Sequence, residues 1–340
     1  EEHRSFTQRA IDYYAERALG GVGLIITGAI RVMEMEPIFG YVVVGEESFA
    51  SFSELAEMVH YYGARIFAQL SPGNGRNTGG NLVDRGLRPF SPSQHPTYWR
   101  PHVMTRALTI EQIKEIVKAI GNAAELLQAA GVDGIELQGY GGYLFDEFTT
   151  AIWNKRSDKY GGSLENRLRF ATECLDAIKD KASKDFPVIY RYSVKHFMKG
   201  VKSAALGHED YNEAGQDFPE GIEMAKLLEK AGFDALDLNA GCYDSPYWAY
   251  PPGYRPHGAL LDMAAEVKKS VTIPVIAVGR IDIPELAELA LKVGKTDMVA
   301  LGRGLLSDPH WPKKVNDGRV DEIRPCIGCN DCLYRISEGN

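Results

Sequence analysis

Two short apolar runs near the end of the chain stop at the same dipeptide. Pro274–Gly279 runs into Arg280, and Met298–Gly302 runs into Arg303. Between them Pro284–Val293 has helical spacing, with Leu286, Leu289, Ala290 and Val293 on one face. Strand, helix, strand in so short a stretch is a βαβ unit, and its strands should be parallel. A glycine at the end of a parallel strand lets the backbone approach a ligand closely. An arginine beside it offers a fixed fork of donors for a phosphate. Taken singly, each Gly turns the chain and each Arg is a solvated charge. In tandem they suit a phosphate held after the last two strands of a barrel.

The same alternation fills the rest of the chain. Strands are expected at Val22–Thr27, Ala64–Leu70, Gly134–Gln138, Val188–Ser193 and Ala235–Ala240, besides the two beginning at Pro274 and Met298. Helices are expected over Ser5–Leu19, Phe52–Tyr62, from a Thr109 cap to Ala130, and over Leu164–Lys181, Gly221–Ala231 and Leu260–Ser270. The fold class is α/β, as a (β/α)8 TIM barrel or a doubly wound sheet. Eight strands close a barrel and seven are counted, so the first strand is expected upstream of Glu1. The expected domains are a barrel over residues 1–315 and a cysteine-bearing segment over 316–340.

Composition removes other classes. A net charge of −8 and a pI of about 5.6 argue against a nucleic acid or an anionic membrane as partner. No apolar run approaches the roughly 20 residues that span a bilayer. Five cysteines in 340 residues do not make a disulfide scaffold, which points to a reducing cytoplasm. The expected partners are a small-molecule substrate and further copies of the chain.

Barrel enzymes place their chemistry at the C-terminal strand ends. Those ends carry Thr27-Gly28, Gln69, Gln138–Tyr143, Arg191, Asn239–Asp244, Gly279-Arg280 and Gly302-Arg303. An amide, a buried-strand arginine and two phosphate grips would together serve a flavin mononucleotide. The amide can donate and accept at the pyrimidine edge, and a cation near N1 and O2 stabilises the reduced ring. Arg191 interrupts an apolar strand and needs a partner, so a strand-end salt bridge is its other reading. For Gln69 the alternative is a solvated amide.

Several stretches resemble the old yellow enzyme family of FMN-dependent barrels. They are Gly20–Thr27, Ala68-Gln69-Leu70, Gly131–Glu136, Gly142–Phe148, Asn154–Gly162 and Asn166-Arg167, and the match covers nearly the whole chain. The resemblance implies that Gln69 and Arg191 bind the isoalloxazine. It implies that Gly279, Arg280, Gly302 and Arg303 hold the FMN phosphate, and that Gly28 lies near the ring. The family's usual histidine pair is absent from Gln138–Tyr143. In the subgroup resembling 2,4-dienoyl-CoA reductase, the Tyr of Gly-Tyr-Leu donates the proton, a role that falls here to Tyr143. A phenol with pKa about 10 can protonate a developing carbanion if held against it; the alternative is a packed Tyr at a helix start. Asn239–Ser245 resembles the enoate-reductase branch, and a second acid falls on Tyr243 or Asp244. The Pro-braced aromatic loop onward to His257 suits a wall for a flat apolar substrate, or loop packing, or a subunit contact. Its Arg255 and His257 are candidates to receive a carboxylate or a CoA phosphate.

Cys326, Cys329 and Cys332 form C-x2-C-x2-C. Three such thiolates can ligate a [4Fe–4S] cluster with a fourth Cys from elsewhere, or a structural zinc. Arg324–Asn330 resembles the iron–sulfur segment of dienoyl-CoA reductase, enoate reductase and trimethylamine dehydrogenase, which implies the cluster. It also implies a fourth cysteine and a module for FAD and NAD(P)H beyond Asn340. The expected function is an anaerobic flavin-dependent ene-reductase, with electrons from NAD(P)H through the cluster to FMN. The alternatives are an amine dehydrogenase similar to trimethylamine dehydrogenase and a zinc-stabilised, non-catalytic barrel. Gly73–Asn81 is expected to be a flexible lid, and Lys195–Pro219 an active-site loop or an oligomer contact.

Overall fold

The computed structural model describes residues 4–33 and 42–338. Seven strands form the main run of its central sheet, β1 (Leu24–Ile26), β2 (Arg65–Ser71), β3 (Gly134–Gly139), β4 (Val188–Ser193), β5 (Ala235–Asn239), β6 (Val275–Ala277) and β7 (Met298–Val299), and the short Ile30–Arg31 pairs with β2 off that run. Each pairs with the next in chain order, and every pairing is parallel. A doubly wound sheet would reverse its order at a switch point. This unbroken order is that of a (β/α) barrel, and the doubly wound alternative falls. Among the described residues β1 and β7 do not pair with each other.

Helices fill the crossovers, and their limits follow from local chemistry. Thr109 accepts a hydrogen bond from the Gln112 N–H while the Gln112 side chain returns to the Thr109 N–H, which starts the helix Ile110–Ala129. Its inner face, Ile113, Ile116, Ile120, Ala124 and Leu127, is buried. The Ser163 and Asp217 side chains cap Leu164–Lys181 and Phe218–Ala231 by accepting from the Asn166 and Glu220 N–H groups. The helix Glu46–Tyr61 starts well before the expected Phe52, because Ser48 folds back onto Gly45 and closes an N-terminal turn.

The two ends of the strand series meet on the helical side. Arg17 of the helix Gln8–Leu19 donates to the Leu305 carbonyl at 2.9 Å, and Glu16 accepts from His310 at 2.7 Å. A Cβ on Gly20 would lie 2.1 Å from the Pro309 carbonyl oxygen, so the backbones pack directly.

Side chains on one face of a strand recur every second residue, and the barrel interior is layered accordingly. Phe67, Ile189, Ala235 and Ile276 make an apolar floor. Gly134 makes room for the Phe67 ring, whose Cζ would stand 2.5 Å from a Cβ there. Two residues further along the same strands come Gln69, Arg191 and Asp237, joined by Glu136 of β3. The floor is apolar and the next layer is charged, so the chemistry is confined to the C-terminal mouth.

Candidate active site

The charged layer is a closed set of complementary groups. Gln69 Nε2 donates to Glu136 Oε1 at 2.6 Å. Arg191 Nε lies 3.3 Å from Asp237 Oδ2 without the alignment of a hydrogen bond, and its guanidinium stands 4.7 Å from the centroid of the Tyr140 ring. Burial works against the Arg191 charge, but Asp237 and Glu136 outweigh it and hold the guanidinium more firmly protonated than usual. Burial, reinforced by the charge of Asp237, pushes the Glu136 carboxyl up. Asp237 is the carboxyl nearer Arg191, and burial pushes it up as well. Sequence reasoning missed this pair. The signal was present: a single acid in each of the apolar strands Gly134–Gly139 and Ala235–Asn239.

Above this layer lies a cavity of about 290 Å³. Arg191, Gly279, Arg280, Gly302 and Arg303 all line it, so five of the seven expected cofactor residues come together. Gln69 and Gly28 lie outside its wall; the Gly28 N–H donates to the Tyr14 hydroxyl at 2.9 Å. A Cβ on Gly302 would meet no atom within 4 Å, which leaves that strand end open to a ligand. Arg191 Nε and, across the β3–β4 register, Gln138 Oε1 are buried without hydrogen-bond partners. A planar heterocycle with donors and acceptors along one edge would answer both, so the residues present fit a flavin ring. The phosphate grips are less simple. Arg280 donates to the carbonyls of Pro252 and Gly253 at 3.0 and 2.9 Å and also engages His257. Arg303 donates to Pro251 at 2.9 Å and to the Asn330 side chain. Both guanidinia brace the Pro-rich loop, and the open Gly302 strand end is what remains for a phosphate.

Two tyrosines meet on the loops that leave the cavity wall at Tyr140 and Asn239. Tyr143 follows β3 and Tyr243 follows β5; their hydroxyls are 2.9 Å apart. The parallel bridge Gly141–Cys242 ties the two loops together. Consecutive left-handed glycines, Gly141 and Gly142, turn the first loop back, and Asn77 donates to both of their carbonyls. Asp146 accepts from the Gly142 N–H at 2.6 Å and faces the buried His196 at 3.1 Å. Tyr143 is thus fixed from both sides.

The other candidate acid is placed differently. Asp244 is buried and accepts from both terminal nitrogens of Arg76, at 2.7 and 3.2 Å. Its carboxylate is committed to a bidentate pair, while the Tyr243 hydroxyl meets that of Tyr143. The expected lid over Gly73–Asn81 is corrected by the same contact. Gly75, Arg76 and Asn77 are buried in a 3-10 turn, and Glu147 accepts from the Arg76 N–H at 2.6 Å. The aromatic loop onward to His257 is divided, with Tyr250 and Pro251 lining the cavity. Trp248 stacks on Phe197 at 3.5 Å and belongs to the core. His257 is held by Asp282 at 2.8 Å, and Arg255 lies 3.7 Å over the Trp248 ring, so neither is placed as a carboxylate receiver. Instead Tyr98 and Trp99 pack edge-on against Tyr243, at 5.6 and 6.1 Å between ring centroids. They sit in the polar stretch after β2, where no periodicity marks them.

The cysteines dock beside the cavity. Cys326 and Cys332 line it, and Gly253 N–H donates to the Gly328 carbonyl at 2.8 Å. Cys329 is exposed. Among the described residues no three Cys, His, Asp or Glu side chains converge as a metal site.

The family model for the NADH:flavin oxidoreductase / NADH oxidase family matches residues 1–322. The chain belongs to that family. Its members bind FMN, and the cavity above Arg191 is where the residues of this chain fit that cofactor. The cinnamate reductase of Clostridium sporogenes is 44% identical over 340 residues, covering 98% of this chain and 51% of that protein. The structure of 2-naphthoyl-CoA reductase with 2-naphthoyl-CoA is similar at TM-score 0.87 and 28% identity, over 98% of this chain and 50% of that one. The old yellow enzyme homologue from Zymomonas mobilis is similar at TM-score 0.72 and 26% identity, over 94% of this chain and 85% of that one. The old yellow enzyme resemblance and the TIM-barrel fold therefore stand. The chain spans about half the length of the curated relatives it matches. Among the described residues no helix is long and apolar enough to cross a membrane.

Asp244→Ala should cost about 3–5 kcal/mol in denaturant unfolding, because it strands the buried Arg76 guanidinium. A double Arg76→Met/Asp244→Leu variant should recover most of that loss. Glu147 is pushed up to about 8 by burial, against its hydrogen bonds from Arg76 and Ser91. An unfolded Glu loses its proton near 4.3. Between those values the native state holds a proton that the unfolded state has released. This contribution to stability is full below about 4.3, declines as pH rises, and is gone above about 8. Glu147→Gln should flatten the fall of unfolding midpoint measured across that window.

Proposed function

We propose that the chain is the catalytic barrel of an ene-reductase that saturates the C=C of an α,β-unsaturated acid, thioester or ketone. The observation that carries this is the hydroxyl pair Tyr143–Tyr243, on the two loops that start from the wall of a cavity that fits a flavin. When bound, FMN supplies a hydride to the β-carbon. The π bond breaks, and its electron pair moves to the α-carbon. Tyr143 gives that carbon its proton, and Tyr243, partly open to solvent, returns one to Tyr143 through their shared hydrogen bond. Asp146 and Asn77 hold the loop so that the phenol does not swing away. Arg191 would offer its charge to the bound ring, with Asp237 keeping it in place. The similarity to a cinnamate reductase supports the same chemistry.

The amine-dehydrogenase reading is weaker. Lys202 Nζ stands 4.9 Å from the Tyr98 ring centroid, on the aromatic wall next to Tyr243, and would repel a cationic amine. Residues 1–315 are proposed as the FMN barrel and 316–340 as a cluster-binding segment. NAD(P)H would supply the electrons through a further module of a protein about twice this length. The cluster proposal rests on the C-x2-C-x2-C spacing, since the thiols do not converge here.

In the whole protein, Tyr143→Phe should lower kcat for ene reduction by roughly 10²- to 10⁴-fold while leaving flavin reduction by NAD(P)H unchanged. A variant with full activity would remove Tyr143 from the scheme. Iron and acid-labile sulfide should each count about four per chain, and a Cys329→Ser variant should lose them; zinc without sulfide would refute the cluster.

A further inference from the structure

The segment Lys195–Pro219 carries a small antiparallel hairpin, Met198–Gly200 with Ser203–Ala204. Its tip is Val201-Lys202, and Lys202 takes a left-handed backbone at φ 56°. A non-glycine residue holds that conformation only where its surroundings impose it. Here the Lys202 N–H donates to Asp244 Oδ1 at 2.7 Å, and Asp244 is itself locked to Arg76. The lysine backbone is thus anchored to a buried ion pair, while its side chain stays exposed.

That side chain points at the aromatic wall. Its Nζ is 4.9 Å from the Tyr98 ring centroid. The Tyr98 hydroxyl donates to the Tyr243 carbonyl at 3.0 Å, and the Tyr243 hydroxyl meets Tyr143. One cation and the proposed proton donor therefore share one wall of aromatic rings. Among the described residues Lys202 makes no salt bridge, whereas nearby Lys199 pairs with Glu209 at 3.0 Å. Asp244, the nearest acid along its backbone, is already neutralised by Arg76.

We propose that Lys202 receives the carboxylate of a flat, free α,β-unsaturated acid, and so selects free acids over neutral enones and amides. The proposal rests on the ene-reductase reading above and deepens it. A carboxylate conjugated to the double bond resists hydride addition, because the added electron pair would sit beside a charge already present. An ammonium at the carboxylate offsets that charge as it grows toward the α-carbon. The aromatic wall takes the flat apolar remainder of the substrate. The Lys202 contact adds no covalent step: the carbons gain one hydride and one proton, as above.

The test uses the whole holoenzyme as wild type, Lys202→Met and Lys202→Arg, with 3-phenylpropenoate and its neutral primary amide as paired substrates. Lys202→Met should raise KM for the acid by roughly 10- to 100-fold, the range of a hydrogen bond to a charged group. Lys202→Arg should keep most of the wild-type value. The amide should change less than about threefold in kcat/KM with either variant, a span below ~1 kcal/mol. Binding of saturated 3-phenylpropionate, followed by quenching of tryptophan fluorescence, should weaken in Lys202→Met by the same factor as KM. If wild type reduces both substrates and Lys202→Met affects them equally or not at all, Lys202 is not the receiver and the proposal falls alone. If wild type reduces neither, the ene-reductase reading fails and takes the proposal with it.

Discussion

Arg76 and Asp244 are both buried, and either alone would be costly inside the protein. Together they join two loops that the chain separates by 168 residues. The turn at Gly75–Asn77 is held on one side, so Asn77 can reach the carbonyls of Gly141 and Gly142 and set the loop before Tyr143. The loop after β5 is held on the other side, which places Tyr243 against Tyr143. The hairpin tip at Lys202 hangs from Oδ1 of the same carboxylate. Proton donor, aromatic wall and cation thus share one anchor, and its loss would disperse them together.

A second constraint is electrical. The barrel floor is apolar, and the layer above it contains one guanidinium and two carboxyls. In such a setting full ionisation of both acids is expensive, so Glu136 retains its proton more strongly and Asp237 answers Arg191. This leaves Arg191 a firm positive charge at the cavity wall. A ring that becomes more negative on reduction would gain from it. The orphaned Arg191 Nε and Gln138 Oε1 have the character of groups waiting for a polar partner.

The arginines at the last two strand ends show how far motif logic reaches. Gly279-Arg280 and Gly302-Arg303 do line one cavity, as their tandem arrangement implied. Their guanidinia, however, are spent on carbonyls of the 251–255 loop. A side chain with several rotatable bonds goes to the acceptors within reach, and spacing along the chain does not specify which those are. The cysteine segment reaches the same cavity by backbone contacts through Gly328 and Asn330, with its thiols unconverged.

What the sequence determined by itself was everything governed by neighbours along the chain. The strand Val188–Ser193 and the helix Leu164–Lys181 have the bounds that their patterns implied, because periodicity and Ser163 capping are local. The parallel series of strands, and the placing of chemistry at their C-terminal ends, follow from the same alternation. Tertiary structure decided the roles that depend on distant partners. Gly73–Asn81 reads as a flexible lid until Asp244 is found to bury Arg76. Tyr243 and Asp244 are adjacent in sequence and both acidic, and only the fold sends one hydroxyl to Tyr143 and one carboxylate to Arg76. Tyr98, Trp99 and Lys202 sit in polar stretches without period, and they acquire meaning only when folding brings them to one wall. The physical reason is that charge pairing and ring packing act through space over a few ångströms, at separations in sequence that no local pattern records.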